Sequence, residues 1–486
     1  MATTSIPRPA DSPEVRRYNR IQRWLSLADA VIGFALLVVL LVTGWTGKLR
    51  DWSYLGAHQR YFLAVFLYVL MFSVIAKVLS APFDFIGFRL EHQYHLSNQK
   101  LRSWLWDECK GWLVGLVLGA IMVEIVYAVI RIAPQRWWII AWAVFVGLFL
   151  LMAQLAPVVL MPIFYKFQPL ENDGLRERLT RLGERAGTRV RGVYEWKLSE
   201  KSKKANAALT GMGSTRRIIL SDTLLQHYSD DEIEAVLAHE LGHHVHRHIL
   251  KGILMQVGIT FFGFWLINQV LRFVIAKDWF PVLDPRLYDF ANLPLIVLVA
   301  TILGFLLMPA LNAISRRHER EADRYAWENI PAIAPFISSM QKLADQNLAE
   351  REPSKFIEWL FHSHPSIGKR IAAAESWASK QPQTEVQPLG YSGTSLFLFA
   401  ITSMDGRTRP TFAHEGFEQE LIDRIHVALV DFSREFPNAL TGEQPVTPCT
   451  EGYVLEVTVQ SDDPQKFAVM NGRLGSLLRK RGLSGF

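Results

Sequence analysis

Ala235-Val-Leu-Ala-His-Glu-Leu-Gly-His-His-Val245 carries His239, Glu240 and His243 in an H-E-x-x-H pattern. On a helix, residues four apart lie one turn apart on the same face. His239 and His243 can therefore offer two imidazole nitrogens to one Zn²⁺, with Glu240 beside them to take a proton from a water that the metal activates. Helix formation is predicted independently. Ile233, Val236, Leu237 and Leu241 have the helical apolar spacing, and Ser229-Asp230-Asp231 supplies an N-terminal cap. The neighbouring His244, His246 and His248 are expected to form a polar collar ahead of the apolar run that follows.

That run is one of several. The chain has 486 residues, half of them apolar, with 15 Trp. Six stretches reach the roughly 20 apolar residues that span a bilayer as a helix. They are Leu27–Thr46, Tyr61–Ser80, Trp112–Ile132, Trp137–Leu160, Ile249–Ile275 and Leu293–Leu311. Most are bounded by Arg, Lys or Trp, as interfacial anchors are. The first is too long for a signal-peptide core and follows a long polar tail. The tail carries Arg8, Arg16, Arg17, Arg20 and Arg23, which favours a cytoplasmic N-terminus. Counting crossings then puts 47–60 and 276–292 outside. Segments 81–111 and 162–248, and everything past about 312, fall inside, where most Lys and Arg lie. The net charge of +6 follows from this bias and needs no nucleic acid partner. Two cysteines, Cys109 and Cys449, make no disulfide framework.

After two crossings the chain returns to the side it left, as Asn312-Ala-Ile-Ser-Arg-Arg-His-Glu-Arg-Glu-Ala-Asp323. Asn312, Ser315, Glu319 and Asp323 share one helix face. A tetrahedral catalytic zinc needs a third protein ligand, which such a stripe can supply. A solvated, charged helix end is the other reading, and Arg316, Arg317, Arg320 and Arg324 suit it. Further on, Ser363-His364-Pro365 precedes Arg370. Pro365 suits the first turn of a new helix, which by itself makes this a loop-to-helix junction with an exposed His.

Together, His239-Glu240-Leu-Gly-His243, Asn312-x-x-Ser315-Arg316-x-x-Glu319-x-x-x-Asp323 and Ser363-His364-Pro365 with Arg370 resemble the type I CAAX prenyl endopeptidase family. These are integral-membrane zinc metalloproteases. The resemblance covers about residues 25–380 and includes Lys204–Thr210, Arg217–Leu225, Leu90–Gln99 and Met161–Leu170. It implies His239, His243 and Glu319 as ligands of one Zn²⁺ per chain, and Glu240 as general base. It implies Asp323 as a carboxylate orienting a ligating imidazole, His364 as donor to the developing oxyanion, and Arg370 and Asn312 as structural partners. Asn206, Ala207, Ala208 and Leu209 become an edge strand that holds a peptide by β-augmentation.

The family's eukaryotic members resemble a seven-helix barrel, whereas six runs are present here. Glu124 and Gln154, inside the third and fourth runs, point either to an aqueous interior or to hydrogen bonds within the bundle. Ser379–Leu389 reads as a linker. Beyond it, strands Thr394–Ser403 and Gly452–Gln460 and helices Phe417–Phe436 and Pro464–Arg481 suggest a small α+β domain.

The expected fold is mainly α: a multi-pass bundle of six transmembrane helices carrying the metalloprotease, plus the α+β domain. The expected segments are a tail (1–26), a four-helix membrane domain (27–165), the protease domain with two further spans (166–380) and the C-terminal domain (381–486). The expected activity is peptide-bond hydrolysis near the cytoplasmic face of the bilayer, with both termini on that side. The resemblance implies CAAX-type C-terminal peptides as substrates. The six runs and extra domain suit a bacterial-type relative acting on damaged or misfolded membrane proteins. The C-terminal domain could recruit substrate or another partner. A membrane scaffold or transporter with a closed structural zinc site is the competing class.

Overall fold

A computed structural model describes residues 11–188, 190–211, 216–280, 286–380, 391–399, 417–436, 440–443, 447–449, 452–461 and 464–480. The chain divides into two compact units, 1–378 and 379–486. Helix α1 (Pro13–Val42) opens on Ser12, whose hydroxyl accepts from the Val15 N–H. It is followed by α2 (Trp45–Gly56), α3 (Tyr61–Gln93) and α4 (Leu101–Ile132). Helix α5 (Trp137–Leu155) passes through a π-helical turn at Ala156–Leu160 into α6 (Met161–Phe164).

Among the described residues, six helices are long and apolar enough to cross a membrane, with mean hydropathy from 1.6 to 2.6 in their best windows. At most 22% of any of those windows is buried. Core helices of a soluble protein would bury such windows, so these apolar faces have only lipid to cover them. Where the helices meet, Tyr68, Tyr127, Trp137 and Phe290 are fully buried. The Thr46 hydroxyl lies 2.7 Å from Tyr68 Oη and donates to the Ala291 carbonyl at 2.8 Å, which pairs two of the polar groups buried there.

Two expected loops are shorter than read. Most of 47–60 is α2, with Leu49 and Ser53 buried. Most of 81–111 belongs to α3 and α4, which leaves 94–100 between them. The crossing count treats everything between apolar runs as connection, but polar residues extend a helix readily where it leaves lipid.

The polar part of the first unit starts with β1 (Phe167–Pro169), α7 (Asp173–Arg185), β2 (Val193–Trp196), β3 (Ala207–Thr210) and β4 (Arg217–Ser221). The strands form one sheet in the order β1-β2-β4-β3, in which only β2 and β4 are parallel. Helix α8 (Asp222–His227) leads to α9 (Asp230–Val245), the helix of the opening motif. Its cap is reciprocal: the Ser229 hydroxyl accepts from the Glu232 N–H, and the Glu232 carboxylate accepts from the Ser229 N–H. Helix α10 (His248–Ala276) and α11 (Leu293–Asn329) are the last two spans. At 37 residues, α11 continues without a break from its apolar run through Asn312, Glu319 and Asp323. Helices α12 (Ala334–Gln346), α13 (Lys355–Phe361) and α14 (Ile367–Lys380) complete the unit. A second core, with Leu179, Ile218, Leu237, Leu241 and Phe336 at its centre, joins sheet and helices.

The second unit contains β5 (Tyr391–Phe399), α15 (Phe417–Glu435), β6 (Leu440–Glu443), β7 (Thr447–Cys449), β8 (Gly452–Ser461) and α16 (Pro464–Lys480). It is α+β, as expected. Its strand β8 pairs antiparallel with β5, β6 and β7. The expected strand at Thr394–Ser403 is matched over 394–399, and its last four residues lie outside the described ones. Most of the expected linker does too, while Ser379 belongs to α14.

Candidate metal centre

Helix α9 presents His239 and His243 one turn apart, and α11 brings Glu319 against them. His239 Nε2 and His243 Nε2 lie 3.3 Å apart. His239 Nε2 is 3.3 Å from Glu319 Oε2, and His243 Nε2 is 3.3 Å from Glu319 Oε1. Ligand atoms at about 2.0–2.1 Å from a tetrahedral ion are about 3.3–3.4 Å apart. The three side chains therefore already have the separations that zinc requires.

Hydrogen bonding around the cluster points the same way. His239 Nδ1 lies 2.9 Å from Asp323 Oδ1, so the ring proton sits on Nδ1 and Nε2 shows a lone pair to the cluster. His243 Nδ1 lies 3.0 Å from His248 Nδ1, and His248 Nε2 lies 3.0 Å from Glu321 Oε2. One assignment satisfies this chain: His248 donates from Nε2 to Glu321 and accepts at Nδ1 from His243. His243 Nε2 is then also a bare lone pair. Two lone pairs and a carboxylate face one another, and outside this triangle Glu319 Oε2 has His364 Nδ1 at 2.8 Å. Such a group of acceptors is stable only around a cation. Without a metal, protons take its place: burial opposes the His239 imidazolium, but Asp323 and Glu319 raise its pKa to about 9. Metal binding must release them.

The remaining sequence-predicted residues fall as follows. Arg370 Nε and Nη2 donate to Asp323 at 2.9 and 2.5 Å, and Nη2 lies 3.3 Å from His239 Nδ1. Asp323 is thus clamped between a guanidinium and a candidate ligand. His364 is exposed, with Nδ1 2.8 Å from Glu319 Oε2. Glu240 is half-buried beside His239, and its charge is felt by Arg370. Asn312 lies about two turns from Glu319 on α11 and donates to the Leu360 carbonyl at 2.7 Å, fastening α13 rather than entering the cluster. Ala207, Ala208 and Leu209 lie in β3, an end strand of its sheet that packs on α9. Asn206 immediately precedes it, its N–H donating to Ser221 Oγ at 3.0 Å.

His248 is the residue whose expected role fails. It is no collar: it is 5% exposed, and its ring stacks on His318 at 4.1 Å between centroids. Arg247, with φ +56°, makes a left-handed turn between α9 and α10 that folds His248 back onto His243. No spacing in the sequence signals this, because a continuous helix would send a residue five after His243 to another face. Replacing His248 by Ala is expected to weaken metal affinity about 10–100-fold by freeing the His243 ring. Titration of the metal-free protein against a chromophoric chelator would measure this. Glu321→Gln keeps an acceptor and should lose less. Unchanged affinity in His248→Ala would dismiss the orienting role.

Fold and site together define a membrane-embedded metallopeptidase. More particularly, the chain belongs to peptidase family M48, whose family description matches residues 169–378. Residues 9–166 match "CAAX prenyl protease N-terminal, five membrane helices". Within that span the described residues include four helices long and apolar enough to cross. The metalloprotease YhfN of Bacillus subtilis is 30% identical over 373 residues, covering 76% of this chain and 87% of the relative. CAAX prenyl protease 1 of Saccharomyces cerevisiae is 27% identical, covering 64% and 72%. The crystal structure of S. mikatae Ste24p aligns with a TM-score of 0.69 at 23% identity, covering 77% of this chain and 92% of that one. The class expected from the sequence, an integral-membrane zinc metalloendopeptidase, is therefore the class of this protein.

Proposed function

We propose that one Zn²⁺ is held by His239, His243 and Glu319, and that the chain cleaves peptides at the membrane surface on the cytoplasmic side. The observation that carries this reading is the triangle of donor atoms with Glu240 next to it. No fourth His, Cys, Asp or Glu joins the group among the described residues. A tetrahedral ion there keeps one position for water or substrate, so a closed structural zinc site is not favoured. When bound, zinc lowers the pKa of a water molecule towards neutrality and polarises the scissile carbonyl.

The chain's own groups do the rest. Glu240 takes the proton of the attacking water and returns it to the leaving amine. Asp323, fixed by Arg370, holds the His239 ring; Glu321 does the same for His243 through His248. His364 donates to the oxygen that becomes negative, a contribution typically worth about 3 kcal/mol. The outer edge of β3, with Asn206, Ala207, Ala208 and Leu209 along it, receives the substrate backbone as an added strand. Arg8 and the arginines of the first turns of α1, Arg16, Arg17, Arg20 and Arg23, support the cytoplasmic assignment of the site and of both termini.

Relatives named CAAX prenyl proteases support C-terminal CAAX-type peptides as substrates. Damaged or misfolded membrane proteins are the second reading. It is favoured by residues 379–486, which lie beyond both matched family descriptions and would recruit a bulkier substrate or a partner. The testing experiment uses purified protein in detergent and compares prenylated CAAX peptides with an unmodified peptide library. Stripping the metal with a chelator should abolish cleavage, and one equivalent of Zn²⁺ per chain should restore it. Cleavage that survives metal removal would dismiss the proposal. The cleavage map decides between the two substrate classes.

A further inference from the structure

We propose that a hollow between α11, α13 and α14 binds the headgroup of an anionic phospholipid from the leaflet on the metal centre's side. Its volume is about 380 Å³. Arg316, Arg320, Lys355, Lys369 and Arg370 line it against two carboxylates, Asp323 and Glu358. Both carboxylates are already engaged. Asp323 is held by Arg370 and His239. Glu358 pairs with Lys369 and accepts from the Ser366 N–H. Arg316 meets no acid there and donates to the carbonyls of Glu358 and His362 at 2.9 and 2.6 Å. Arg320 and Lys355 are exposed and form no ion pair among the described residues. The hollow is thus left with uncompensated positive charge.

Its depth identifies the anion. The bonds from Asn312 and Arg316 tie α13 to α11 where the apolar run Leu293–Leu311 ends. That run occupies the hydrocarbon, so α13 lies at the boundary where headgroups begin. Phe356, Trp359 and Phe361 of α13 are 64%, 52% and 44% exposed. Aromatic rings left uncovered at this level are suited to the interfacial belt. Trp359 is also part of the hollow's own wall. A headgroup phosphate meets the cations while its acyl chains continue past the aromatic rings. A free anion would use the charges and leave the rings without a role.

The test uses the full chain in nanodiscs of phosphatidylcholine containing a minor fraction of phosphatidylglycerol. Lipid retained on extraction into detergent is measured by mass spectrometry. Wild type should retain phosphatidylglycerol in preference to phosphatidylcholine. Each cation near a membrane surface shifts anionic-lipid association about fivefold, so R320E/K355E should lower that retention by about 25-fold or more. Metal content and phosphatidylcholine retention should not change. W359A should lower retention with the charges intact, and the milder R320Q/K355Q serves if charge reversal impairs folding. Phosphatidylglycerol retention unaltered in the charge variants, or in W359A, would overturn the proposal. So would inorganic phosphate that displaces the lipid at micromolar concentration, since the site would then be one for a soluble anion.

Discussion

Glu240→Gln is expected to keep one metal ion per chain and to lose peptide cleavage by about 10³-fold, within the range general-base catalysis supplies. Three features separate the two readouts. Glu240 stands outside the donor triangle of His239, His243 and Glu319, so its loss removes no ligand. Glutamine matches its size, so the half-buried site is filled as before. The amide cannot accept a proton at neutral pH, so only the transfer from water and to the leaving amine suffers. The loss should appear in kcat more than in KM, because the substrate strand would still be held by β3 and by the metal. Metal analysis and steady-state kinetics on the same preparation would check this. Equal cleavage by both proteins would remove Glu240 from the mechanism. Loss of metal in the variant would show Glu240 to be needed for binding instead.

Glu240 was legible because its chemistry is local: base and two ligands lie within five residues on one helix. Glu319 and Asp323 were legible as a stripe on a helix face, and the family resemblance singled out their roles. His248 was not, because its position follows from the left-handed turn at Arg247, which no apolar period signals. The six spans were visible as runs of apolar residues, but their ends were not. Helix α11 continues far past its run because Glu319 and Asp323 find partners across α9, a tertiary compensation that propensity does not contain. The first run, Leu27–Thr46, misses both ends of its helix, since α1 begins at Pro13 on the Ser12 cap and stops at Val42. The free edge of β3 depends on strand order, which periodicity alone cannot give.

Gly242→Ala is the second large effect expected, and it arises from spacing rather than chemistry. Gly242 lies between Glu240 and His243, on the side of α9 that meets α11. A Cβ built there would stand 2.8 Å from Ala322 Cα, 2.9 Å from Ala322 O and 3.1 Å from Tyr325 Cβ. The first two are backbone-bound positions on a packed helix, so no side chain can turn away. One of the helices must move. Ala322 lies between Glu319 and Asp323, so any separation carries both carboxylates away from His239 and His243. Overpacking of this kind costs about 1–3 kcal/mol in stability. The consequence for the site is larger, since a misplacement of about 1 Å in a reacting constellation can cost about 100-fold in rate. Gly242→Ala should therefore bind metal more weakly and cleave at least about 100-fold more slowly, while still folding. Gly252→Ala, on α10, supplies the control, because its methyl would meet nothing within 4 Å. Chelator competition and cleavage rates on both variants would decide. If Gly242→Ala matched Gly252→Ala in both, the close crossing of α9 and α11 would not be what sets the geometry of the metal centre.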